Sequence, residues 1–319
     1  MVARTRYAPD RGLVARMTAT MFLLGLVFVA FVAAIILILS AVKASGAVIV
    51  LAAVVLGGGL AIGSLFFSDK IALSSAGAVE VSPTYSPAAA ELHGVVDRVC
   101  ALADMPKPRI AISPTDLPNA FATGRNTEHA VLCVTEGLMR RLNREELEGV
   151  IAHELSHVAH KDVMVMTIAS FLGIIAGLLI RFSFYGELFG GGGRRNSNDQ
   201  NSGLILLAIM AVSIVVYAIS FLLIRLLSRY RELAADRSGA LLTGQPSALA
   251  SALQKVSGTI ARIPTKDLRE AAPLNAFFFV PALSAREGGT KIANLFSTHP
   301  PLEKRLAQLA KISQQLSRQ

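Results

Sequence analysis

Val150-Ile151-Ala152-His153-Glu154-Leu155-Ser156-His157-Val158 sets two histidines four residues apart, with a glutamate directly after the first, in an apolar stretch. Positions four apart stand over one another on a 3.6-residue helix, so His153 and His157 can offer two imidazole nitrogens to a single tetrahedral metal. Glu154 is too near in sequence to be an easy third ligand, yet it is well placed to take a proton from the water such a metal activates. With 6 His and 13 Glu in 319 residues, composition alone produces H-E-x-x-H in about half a percent of such chains, which makes the pattern a strong signal. Asn143 followed three residues on by Glu146 reads as a capping box ahead of Leu147, Val150 and Ile151. This spacing predicts a helix over 144–160.

Outward from that helix the chain becomes lipid-like. Hydrophobic residues make up 53%, charged residues 17%, and the mean hydropathy is +0.53, too apolar for a soluble pair of domains. Four apolar runs, over 17–40, 46–67, 163–182 and 203–227, are each spanning candidates. The first follows Arg4, Arg6, Arg11 and Arg16 against one acid, Asp10. It exceeds the apolar core of a signal peptide and a second run follows it, so the pair reads as a transmembrane hairpin. Gly57-Gly58-Gly59 in the second run would weaken a soluble helix but permits close helix contact in lipid. The last two runs have an alternative as a buried soluble hairpin, because Arg181 and the end charges limit their unbroken length.

The division expected is a basic N-terminus (1–16), a first transmembrane hairpin (17–67), a water-exposed part carrying the motif helix (68–162), a second hairpin (163–227) and a polar, mostly helical part (228–319). Within 68–162 a linker is expected at 82–87, an amphipathic helix over 88–103, strands at 109–112, 119–122 and 129–134, a turn at 124–127 and a helix over 136–142. The fold class is mainly α with a small antiparallel β-sheet, plus four transmembrane helices. Residues 190–202 form a Gly-, Asn- and Ser-rich loop, and 276–280 are apolar but too short to span, hence core or a surface dipping into headgroups. Cys100 and Cys133 lack a C-x-x-C pairing and read as buried, reduced thiols. His93 and His129 lack partners at ligand spacing and are expected to be exposed or capping.

A catalytic metal of this kind needs a third protein ligand and an open position. Arg231-Glu232-Leu233-Ala234-Ala235-Asp236 offers one. Glu232 can ligate, and Asp236, a turn further along the same face, can accept the N–H of a ligating imidazole and fix its tautomer. His157 lies six residues before the third apolar run and Glu232 five after the fourth, so two crossings return the chain to the side it left. His160 stands one turn beyond His157 along the axis and is not expected to ligate. The arginines before the first run and at 225, 229 and 231 place both termini and the site in the cytoplasm by the positive-inside rule, with Arg194 and Arg195 in the loop weighing against. A net charge of +9 raises nucleic acid as a partner, but no nucleic-acid motif accompanies the bases, and many flank apolar runs. A membrane surface explains them better.

Together these segments resemble the HtpX-type membrane zinc metalloproteases, relatives of the CAAX prenyl proteases. The resemblance is carried by Asn119-Ala120-Phe121-Ala122-Thr123-Gly124, the motif segment 149–157, the 231–236 run and Asn294-Leu295-Phe296-Ser297-Thr298-His299-Pro300-Pro301. It implies a gluzincin-like cytoplasmic protease domain with one zinc per subunit and cleavage of misfolded or damaged membrane proteins under stress in the bacterial inner membrane. It assigns His153, His157 and Glu232 to zinc and Glu154 to catalysis. Asn119, Ala120, Phe121 and Ala122 become the edge strand that pairs with substrate, and His299 with Arg305 becomes the oxyanion-holding pair. Many relatives follow the motif with Asn-Gly-Asp, where this chain has His160-Lys161-Asp162. The rivals are a catalytically silent zinc scaffold with His160 as fourth ligand, and a prenyl-protein processing protease.

Overall fold

The structure, a computed structural model, describes residues 11–41, 47–190, 199–262 and 297–318. Arg4, Arg6, Asp10, Lys43, the loop residues 191–198, the prolines 264, 273 and 281, the apolar stretch 276–280 and residues 294–296 of the closing motif lie outside the described residues.

In chain order the elements are α1 (Arg11–Ala41), α2 (Ala47–Ser75), β1 (Val79–Glu80), α3 (Pro87–Ala103), β2 (Arg109–Ser113), β3 (Ala120–Thr123), β4 (Val131–Thr135), α4 (Glu136–Met139), α5 (Arg144–Ala159), α6 (Asp162–Gly190), α7 (Asp199–Thr243), α8 (Pro246–Arg262) and α9 (Leu302–Leu316). Four of the helices, α1, α2, α6 and α7, are long and apolar enough to cross a membrane. The chain forms two compact units, one of residues 17–64 and 165–227, the other of residues up to 16, 65–164 and 228 onward.

The first unit is a bundle of the four long helices. Leu24, Phe31 and Ile35 of α1 pack with Leu172, Ile175 and Leu179 of α6 and with Ile209 and Val216 of α7. Many other apolar side chains of these helices, Phe22, Leu37, Leu60 and Leu204 among them, face outward, as expected of surface solvated by lipid tails. A Cβ at Gly57 would lie 3.1 Å from Ile175 Cγ1, so that glycine does let α2 and α6 approach, whereas Gly59 meets nothing within 4 Å.

In the second unit, helices α3, α5, α8 and α9 bury one face of a four-stranded sheet ordered β1-β2-β4-β3. Ile110, Ile112, Leu132 and Val134 point to that face; Ala111, Val131 and Cys133 point to the other, where Ala72 near the end of α2 covers them. Every residue of β4 is buried, which suits a central strand covered on both sides. That strand produces the departure from expectation. The sheet is mixed, not antiparallel: β3 turns back onto β4, and β4 inserts beside β2 in parallel, Arg109 opposite Val131 through Ser113 opposite Thr135. The apolar β4 takes the interior position, and β3, the strand expected to meet substrate, is left at an edge. Cys100 and Cys133 are buried free thiols, and burial pushes them up to about 11 and about 12. His93 is neither exposed nor capping: it is buried with Nε2 3.0 Å from the Val81 carbonyl, because the helix face it occupies is the one packed on the core.

Candidate active site

The motif helix α5 starts at the expected place. Asn143 Oδ1 accepts from the Glu146 N–H at 2.8 Å while Glu146 Oε2 accepts from the Asn143 N–H at 2.9 Å. This reciprocal cap satisfies two donors that a helix start otherwise leaves open. The Glu146 carboxylate also binds Ser251 and Lys255 of α8 at 2.6 and 2.7 Å, which ties the start of α5 to its neighbour. Glu232 and Asp236 come from α7, whose 45 residues run unbroken out of the apolar segment. The two helices can close on each other only because residue 239 has no side chain: a Cβ there would lie 2.9 Å from the backbone nitrogen of His153.

His153 and His157 bring their Nε2 atoms to within 3.3 Å. Each also approaches the Glu232 carboxylate, at 3.7 and 3.5 Å, and one donor atom from each of the three residues lies within 4.8 Å of the others. The opposite ring nitrogens are held by carboxylates. His153 Nδ1 lies 2.9 Å from Asp236 Oδ1, and His157 Nδ1 lies 2.5 Å from Asp162 Oδ2. An imidazole that donates from Nδ1 presents a bare lone pair at Nε2. Two imidazole nitrogens and a carboxylate oxygen therefore converge on one point, the donor set that a cation takes. The residues present fit a tetrahedral, N- and O-liganded divalent ion such as zinc.

The electrostatics agree. Burial holds His153 below its usual value and hence neutral, the form that binds metal. Burial acts to raise Glu232, but His299, His157 and Arg305 outweigh it and keep the carboxyl well below the usual range. Burial, with a smaller push from Glu232 and an opposing pull from His157, lifts Glu154 to about 8. A dication nearby would draw it back down. Glu154 is buried, and its Oε2 accepts the backbone N–H of Ala122 at 3.2 Å, so the outward edge of β3 faces α5.

His299 and Arg305 also arrive here. Ser297 Oγ accepts from the His299 N–H and donates to the His299 carbonyl, fixing a turn that sets His299 Nδ1 3.0 Å from Glu232 Oε2. Arg305, in the first turns of α9, grips Asp236 with two bonds of 2.7 and 2.6 Å, and its third nitrogen lies 3.6 Å from Glu232. His160 does not join the group. Its Nδ1 turns back to the Ser156 carbonyl at 2.8 Å, and the cluster among the described residues is His153, His157 and Glu232.

A profile of peptidase family M48 matches residues 86–313. The chain belongs to that family. Curated relatives run nearly the full length: Protease HtpX homolog 1 of Streptomyces coelicolor is 58% identical over 313 residues, 98% of this chain and 97% of its own. Protease HtpX homolog of Moorella thermoacetica is 50% identical over 314 residues, 98% of each. The crystal structure of S. mikatae Ste24p superposes with a TM-score of 0.47 at 16% identity, covering 94% of this chain and 66% of that one. Membership of M48, with four apolar helices, makes the protein a membrane metalloprotease.

Two site residues of this M48 chain have no counterpart among the sequence expectations. Asp162, besides meeting His157, forms an ion pair with Arg231 Nη2, while Arg231 Nη1 donates to the Asp162 carbonyl at 2.8 Å. Asp162 is five residues past His157 and would lie off its face on a continuous helix. Lys161 breaks that continuity by adopting a left-handed conformation, φ 55°, and α6 restarts at Asp162 with its carboxylate aimed back at the imidazole. An acid just after a break that follows the second histidine was the signal available. Arg231 reads in sequence as one more membrane-flanking base, yet it is buried.

Proposed function

We propose that this metalloprotease is a zinc-dependent endopeptidase of the bacterial cytoplasmic membrane, one zinc per subunit, that cleaves unfolded or damaged membrane proteins at the cytoplasmic face. The reading is carried by the convergence of the His153 and His157 Nε2 atoms and the Glu232 carboxylate beside the buried Glu154. His153, His157 and Glu232 are the ligand set; zinc bound there supplies Lewis acidity, acidifying water and polarising a scissile carbonyl. Glu154 takes the proton of the attacking water and passes it to the leaving amine.

The developing oxyanion falls to His299, which reaches the edge of the ligand set. Arg305, with its fork committed to Asp236, acts on the same region through charge and by holding Asp236 and Glu232 in place. The substrate lies extended along β3. Backbone groups alternate in direction along a strand, so Ala120 shares the outward edge with Ala122, flanked by Asn119 and Phe121, and main-chain pairing there suits loose sequence preference. A cytoplasmic site is supported by the bases that precede the first span.

Zinc content and casein cleavage in detergent, wild type beside Glu154→Gln, test the reading. Zinc stoichiometry should stay at one while cleavage falls about 100-fold or more. Full activity in that variant removes Glu154 from the mechanism, and wild type without zinc removes the metal.

A further inference from the structure

Away from the ligand cluster, the second unit carries a cleft of about 380 Å³ where the first turns of α1 meet α7 and α9. Four cations line it: Arg16 of α1, Arg237 of α7, and Lys304 and Lys311 of α9; among the described lining residues there is no Asp or Glu. Lys304 and Lys311 are seven apart and so share a helix face. The floor is apolar, made by the buried Leu13, Leu233 and Ile312. The Arg16 guanidinium also lies 5.9 Å from the centre of the Tyr230 ring, which steadies the exposed side chain beside the cleft.

We propose that this cleft binds the headgroup of an anionic phospholipid. Cations from three helices that line one cleft offer an anion several charge-assisted contacts at once. The occupant is lipid because Arg16 is immediately followed by the apolar run that begins at Met17. A base at that point of a spanning helix sits at headgroup depth, where anionic lipid is concentrated. The apolar floor suits the glycerol and first methylenes of a lipid, which a free phosphate lacks. The site is separate from the metal cluster and does not depend on the proteolytic reading.

The full-length protein in neutral detergent is titrated with short-chain phosphatidylglycerol, and the thermal midpoint is followed; parallel titrations use phosphatidylcholine, glycerol phosphate and a single-stranded oligonucleotide. Phosphatidylglycerol should raise the midpoint saturably and phosphatidylcholine should not. Lys304→Gln with Lys311→Gln should weaken the apparent affinity roughly 25-fold and Arg16→Gln, on a different helix, about fivefold, taking one surface cation as about a fivefold effect. Lys107→Gln, outside the cleft, should leave it unchanged. The thermal midpoint of the double variant in lipid-free detergent should match wild type, which shows that it is folded. The proposal is overturned if phosphatidylcholine protects equally, if glycerol phosphate or the oligonucleotide protects over the same concentration range, or if both the double variant and Arg16→Gln retain wild-type affinity.

Discussion

The two histidines of the motif are braced in the same way by different parts of the chain. His153 is backed by Asp236 and Asp236 by Arg305; His157 is backed by Asp162 and Asp162 by Arg231. The first brace is sealed, with side-chain exposures of 1%, 0% and 2%, whereas the second is partly open, at 17%, 12% and 6%. A buried carboxylate between two cationic or proton-donating partners is costly to disturb, because what remains is an uncompensated charge without water. At the open brace water can replace a lost partner. The first brace should therefore carry stability as well as metal affinity, and the second mainly affinity.

Asp236→Ala is the largest expected effect: it strands the Arg305 guanidinium and should cost about 3–5 kcal/mol, with a drop in zinc affinity near the upper end of the roughly 10–100-fold expected for such a partner. Thermal midpoints and competition with a chelating dye measure the two quantities. Asp162→Asn keeps the shape of the open brace and should lower zinc affinity about tenfold with little loss of midpoint; equal loss of stability in both variants would mean that the two braces do not differ. Gly239→Ala tests the packing on which the sealed brace depends. Its methyl meets the His153 backbone, so about 1–3 kcal/mol of destabilisation is expected. Gly258→Ala on α8, where a Cβ meets nothing within 4 Å, should be neutral or gain roughly 0.5–1 kcal/mol. Asn143→Ala removes the cap of α5 at a cost of about 1 kcal/mol and should leave zinc affinity unchanged.

The same contrast explains what could be read from the sequence. His153, Glu154, His157, Glu232 and Asp236 lie at helical spacings, and spacing on one helix is geometry that a sequence displays directly. The sealed brace was accordingly half visible in the E-x-x-x-D pattern. Asp162 depends on a left-handed Lys161, a conformation without a glycine to announce it, and Arg231 depends on which way a long helix faces. The sheet was legible as strands but not as an order. Strand segments show period two and apolar content, while the insertion of β4 between β2 and β3 is settled by which strand gains most from burial on both faces. Two-residue β1 is too short to leave a pattern at all.

The unbroken α7 gives the site a property that neither brace supplies alone. At 1.5 Å per residue its 45 residues make a rod of about 67 Å, and each residue advances the azimuth by about 100°. Glu232 and Asp236, four residues apart on that rod, thus share nearly one bearing. One residue added between positions 232 and 236 would leave every one of these side chains present, yet swing Asp236 about 100° away from Glu232. Two further additions would make an offset of three residues, nearly a full turn, and bring it most of the way back. Zinc affinity across such an insertion series should oscillate with the helical period, so that the helix behaves as an indexed shaft whose tooth count, not its composition, times the site.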